Sequence, residues 1–172
     1  MKILIMSDSH GLIDEVEEIK LRHQQEVDYM IHCGDSELKA ADQILSGMDV
    51  VKGNCDDDDE LPNEVIKEID GCRFYITHGH LHNVKSTLMN VTYRALECNC
   101  DIVCFGHSHI AGAEMANDIL FINPGSIRMP RMRKEKTYVI LELENSTATV
   151  HFYEVNGDII KGLTAEFILK DG

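Results

Sequence analysis

The feature that most restricts how this chain can fold recurs along it. A short apolar run stops at a glycine-bearing turn that carries aspartate, asparagine or histidine. Lys2-Ile3-Leu4-Ile5-Met6 runs into Ser7-Asp8-Ser9-His10-Gly11, and related endings return in His32-Cys33-Gly34-Asp35, Gly53-Asn54-Cys55-Asp56, His78-Gly79-His80 and Gly106-His107-Ser108-His109. Apolar runs of this length are typical of strands covered on both faces. When such strands run parallel, their carboxyl ends share an edge where sites form. The pattern therefore predicts an α/β layer with chain-distant polar groups gathered at one rim.

Strands are expected at 2–7, 27–32, 49–52, 64–69, 72–77, 101–105, 111–115, 119–122, 138–144 and 148–154, with a further edge strand at 164–169. Helices are expected at 12–24, 38–46 and 85–97. In the first helix Leu12, Val16 and Ile19 recur at helical spacing, and Asp14 with Glu17 suits a capped start. Asp70-Gly71 and Asn117-Asp118 are hairpin turns by composition. The early β-α-β rhythm gives parallel pairing and the later hairpins give antiparallel pairing. The expectation is one α/β domain over 1–172, with two mixed sheets flanked by helices.

A formal charge of −14, from 30 acidic and 16 basic residues, disfavours extended nucleic acid as a partner. No run is long enough to span a membrane, and the N-terminal run is too short for a signal peptide. Six cysteines without a secretory signal read as reduced thiols of a cytoplasmic protein. Asp56 to Glu60 reads as a solvated acidic loop bordering the site, with Asp56 itself orienting a ligand or the turn. Arg128, Arg131, Arg133, Lys134 and Lys136 form a basic run suited to a small anion or to a solvated face.

Asp8, His10, Asp35, Asn54, His78, His107 and His109 all sit just past strands. Carboxylate, imidazole and amide ligands without a thiolate suit manganese, iron or zinc better than magnesium or calcium. Seven ligands are too many for one ion and fit two if a carboxylate bridges. Each residue also has an ordinary explanation: Asp35 as a helix cap, Asn54 in a left-handed turn, His78, His80 and His82 as a surface run. The metal reading is favoured by their occurring together.

This ordered series closely resembles the calcineurin-like metallophosphoesterases, in particular their small bacterial and archaeal phosphodiesterases, and the retromer scaffold subunit is similar in fold. The resemblance spans residues 1 to about 130, with Asn123-Pro124-Gly125-Ser126, Arg128 and Pro130 at its end. It implies a two-sheet β-sandwich with helices outside. It implies one ion held by Asp8, His10 and His109, a second by Asn54, His78 and His107, and Asp35 bridging them. The ion implied is manganese first, with nickel, iron or zinc as alternatives. The reaction implied is hydrolysis of a small phosphodiester by hydroxide activated between the metals. From their positions in the chain, Arg128 and the basic run after it are the candidates for contacting the unreacted part of the substrate, and His80 is the candidate outer donor. Many phosphomonoesterases of this superfamily carry histidine where this chain has Cys55, a weak donor, which favours diesters. The alternatives are a phosphomonoesterase or nuclease using the same site, or a non-catalytic binding scaffold. Exposed strand edges near the C-terminus would allow a homodimer.

Overall fold

A computed structural model describes residues 1–170. The chain forms β1 (Lys2–Met6), α1 (Ile13–His23), β2 (Tyr29–His32), β3 (Asp49–Val50), β4 (Glu64–Ile69), β5 (Cys72–Thr77), α2 (Met89–Glu97), β6 (Ile102–Cys104), β7 (Gly112–Ala116), β8 (Ile119–Asn123), β9 (Thr137–Glu144), β10 (Thr147–Glu154) and β11 (Ala165–Ile168). One sheet has the order β11-β10-β9-β1-β2-β3 and the other β4-β5-β6-β8-β7. In the first, β1, β2 and β3 are mutually parallel; in the second, β5, β6 and β8 are. Hairpins supply most of the antiparallel pairs: β4–β5, β7–β8, β9–β10 and β10–β11, while β9 also runs antiparallel to β1.

The side chains explain the layering. Ile3, Ile5 and Ile31 of one sheet share a buried cluster with Phe74, Ile76, Ile102, Cys104, Leu120 and Ile122 of the other. The opposite pleat of β1, Leu4 and Met6, packs on Val16 and Ile19 of α1. Tyr75, Val103 and Phe121 pack on Val91 and Ala95 of α2. Central strands are thus apolar on both faces, which is why they read as unbroken runs. The outcome is the expected pair of mixed sheets flanked by helices.

The 4–5 hairpin turns through Asp70 at φ 53° and Gly71 at φ 79°, both left-handed as a two-residue primed turn requires. Two expectations fail. The 38–46 helix is only a 3-10 turn at Gln43–Leu45, because Asp42 is extended and its carboxylate accepts the Lys39 N–H, a local bond that competes with helix. The helix expected at 85–97 begins at Met89, after a left-handed Asn83. The first helix begins as expected, but Leu12 holds the cap position without a side-chain bond and Asp14 lies in the first turn.

Candidate metal centre

The site is built where the parallel strands of both sheets end. Asp8 and His10 follow β1, Asp35 follows β2, and Asn54 follows β3; His78 follows β5, and His107 with His109 follow β6. Backbone bonds join these loops in pairs. Asp8 N–H donates to Gly34 O at 3.0 Å, His10 N–H to Asp35 O at 2.9 Å, and Gly106 N–H to His78 O at 3.1 Å. Between the sheets, the Ser126 hydroxyl donates to Asp8 O at 2.8 Å and His107 N–H to Asp8 Oδ2 at 3.2 Å.

Asp8, His10, Asp35, His107 and His109 all adopt left-handed φ, between 44° and 65°. Such values are uncommon outside glycine and concentrate at functional sites. Two glycines let the loops close on the carboxylates. A Cβ on Gly53 would lie 2.0 Å from Asp35 Oδ1, and one on Gly106 would lie 2.6 Å from Asp8 Oδ2.

Each of three imidazoles is oriented through Nδ1. His78 Nδ1 donates to Cys33 O and His109 Nδ1 to Met129 O, both at 2.7 Å, while His10 Nδ1 meets Glu37 Oε1 at 2.6 Å. This leaves Nε2 as the group turned inward, an arrangement usual for metal-ligating histidine. Asp8 Oδ1 lies 2.9 Å from His109 Nε2, 3.9 Å from His10 Nε2 and 4.0 Å from His78 Nε2. Asp35 Oδ2 lies 3.2 Å from His78 Nε2 and 4.0 Å from His10 Nε2, between the two groups. His10 Nε2 and His78 Nε2 are buried without a hydrogen bond. Burying unpaired polar atoms is costly, and a cation at this point would satisfy them.

Among the described residues, three sets present ligand atoms mutually within 4.8 Å: Asp8, His10 and His109; Asp35, His78 and His107; and His10, Asp35 and Cys55. The last set departs from the expectation of a cluster without sulfur, because the Cys55 thiol borders it. The charges are mutually adjusted. Burial opposes ionisation of Asp35, but neighbouring His78 and the Cys55 N–H hold its carboxyl below the usual range. Burial lowers His78, yet Asp35 and Asp8 raise it overall; Asp8 likewise raises His109. Burial and the charge of His78 push His107 down to about 4. Burial and Asp35 push the Cys55 thiol up to about 11, so it stays neutral.

Asn54, His80 and Arg128 lie outside these three sets. Asn54 is exposed, and its amide donates to Cys55 Sγ at 3.3 Å. His80 is half-buried with Nδ1 unpartnered, its ring 5.4 Å from that of His78. Arg128 donates from Nη1 to His10 O and is otherwise exposed, which gives it a positioning contact that its sequence did not suggest. Asp56 orients the turn, as expected, but from a buried position and not from a solvated loop. Its carboxylate accepts from the N–H groups of Asp35, Glu37 and Gly53 at 2.6–2.8 Å. Glu37, His32 and Asn123 also serve the site without having been anticipated. Asn123 donates to Gly106 O and Ser108 Oγ, bracing the loop that carries His107 and His109.

Residues 1–146 match the family model described as the calcineurin-like phosphoesterase superfamily domain. The chain is 52% identical to a probable metallophosphoesterase, YsnB, of Bacillus subtilis over 163 residues, 95% of this chain and 96% of that one. A crystal structure of a predicted phosphoesterase from Streptococcus pneumoniae superposes with a TM-score of 0.93 at 36% identity, over 97% of both chains. Vps29 of Chaetomium thermophilum shares the fold, with a TM-score of 0.78 at 17% identity over 99% of this chain and 100% of that one.

Proposed function

Because this chain belongs to the calcineurin-like phosphoesterase superfamily, we propose that it hydrolyses small phosphodiesters, with one divalent cation held by Asp8, His10 and His109, a second by Asn54, His78 and His107, and Asp35 between them. The observation that carries this reading is the convergence of buried, unpartnered His10 Nε2 and His78 Nε2 on two carboxylates from separate loops. Bound divalent ions supply Lewis acidity, lowering the pKa of water and offsetting charge on phosphoryl oxygens.

The chain's own groups supply orientation. Glu37 and the Cys33 and Met129 carbonyls fix the imidazoles, so little reorganisation is needed. Cys55 borders the site as a neutral thiol, a weak donor that gives little help to the leaving group of a monoester and so favours diesters. The exposed part of Arg128 faces the unreacted portion of the substrate, and His80 acts as an outer donor. Manganese is the working ion in this proposal, the β11 edge is where two copies pair, and six free thiols favour a reducing, cytoplasmic setting. No helix among the described residues is long and apolar enough to cross a membrane.

Chelator-stripped protein is expected to be inert toward bis-4-nitrophenyl phosphate, and manganese to restore hydrolysis. Asp35→Asn should abolish the activity and weaken binding of the second ion in a calorimetric titration. Full activity in that variant would refute the two-ion site.

A further inference from the structure

Beside the metal centre lies a cleft of about 260 Å³ whose walls are mostly apolar: Val84, Leu88, Phe105, Ile110 and Phe121. It adjoins the centre through Ser108, the residue between His107 and His109, and through Asn123, which bonds Ser108. Gly112, Ala113 and Glu114 of β7 line it beside Phe121 and Asn123 of the paired β8. The neighbouring Ala111 and Ala113 pack into the core between the sheets, so alternation turns position 112 toward the outer face. A Cβ built on Gly112 meets nothing within 4 Å. The space beside Gly112 is thus open, and neither close packing nor a left-handed backbone demands a glycine there.

From this geometry we infer that the cleft is a specificity subsite, receiving one aromatic or similarly apolar group esterified to the phosphate. The inference rests on the phosphodiesterase reading and adds a substrate class to it. Size sets the bound: a cavity of ~150 Å³ accepts benzene, so this cleft takes one ring system and leaves little room for a second. Charge sets the orientation. Lys85 lies in the same wall, is exposed, makes no ion pair among the described residues and is near enough for its charge to act on His107, so an anionic phosphate is favoured at the end near the metal centre. Glu114, paired with Phe121 two residues along from the Gly112–Asn123 pair, repels phosphate from the far end. The exposed Ile110, next to His109, continues the apolar surface toward the reacting end.

The test holds the leaving group constant. Manganese-loaded protein is given methyl 4-nitrophenyl phosphate and phenyl 4-nitrophenyl phosphate, and phenylphosphonate and methylphosphonate are titrated in by calorimetry. Burying one ring predicts a KM at least about tenfold lower for the phenyl ester and a similar preference for phenylphosphonate. Gly112→Phe fills the cleft from its β7 wall, an edge strand, and should collapse both preferences toward unity. Equal affinity for the two phosphonates in the wild type, or a preference that survives Gly112→Phe, overturns the subsite. Hydrolysis of neither ester, with the phosphonate preference intact, would count against the diesterase reading while sustaining the subsite.

Discussion

His32 lies beneath the centre with its tautomer set by its neighbours. Gly34 N–H donates to Nδ1 at 3.2 Å, so the proton sits on Nε2, which faces Ser9 Oγ at 2.9 Å. A second proton would oppose the Gly34 N–H, and complete burial pushes the pKa down to about 4. The folded value lies below the unfolded one, so this contribution to stability is fully present above about pH 6.5 and is lost as pH falls toward 4. The full effect is about 3 kcal/mol. Urea titrations from pH 8 to 4 should show a wild-type loss that His32→Gln largely lacks; parallel curves would exclude His32 as the source. The contrast with Asp8 and His10 shows what a sequence reveals about single residues. Those two stand at strand ends in a glycine-bearing turn and were legible from their position. His32 looks like the last residue of a strand, and Glu37 looks like a surface acid. Their roles depend on approaches across loops, although a carboxylate two residues past Asp35 was a signal available for Glu37.

At the level of elements, the strands were readable because both faces of the central ones are covered, whereas the connections obey side-chain bonds that periodicity does not report. Residues 38–46 carry helix-forming side chains and apolar Leu38, Ile44 and Leu45. Their order instead comes from packing around Val50 and Leu61 and from Asp58 accepting the Ala40 N–H. Asp56 joins the loop after β2 to the loop after β3 in the same way. Replacing it with asparagine keeps the shape but turns an NH2 toward N–H groups that now donate to a carboxylate. Leaving such donors unsatisfied costs about 2–4 kcal/mol. Asp56→Asn should therefore lower the urea midpoint and also weaken manganese binding, because Asp35 loses the contact that sets its backbone. An unchanged midpoint would assign the Asp56 contacts no net worth.

Across the whole molecule, the candidate ligands are divided between the two sheets: Asp8, His10, Asp35 and Asn54 from one, His78, His107 and His109 from the other. The protein already links the two sides at this rim through His78 to Cys33 O and His107 N–H to Asp8. Ions bound there would tie the rim of one sheet to that of the other and so bind the folded state far better than the unfolded chain. Ligand at ~100 times its Kd adds about 2.7 kcal/mol, and for a chain of this size that corresponds to a Tm rise of about 5–10 °C. Calorimetric scans with manganese and with excess chelator should differ by this amount. Removing a ligand from either sheet, as Asp8→Ala or His78→Ala, should erase at least half of the difference, because each variant strips one of the proposed ions of a ligand and so weakens its preference for the folded state. If only one of these variants reduced the manganese-dependent shift, the ions would be held by a single sheet, and the centre would add nothing to cohesion between the layers.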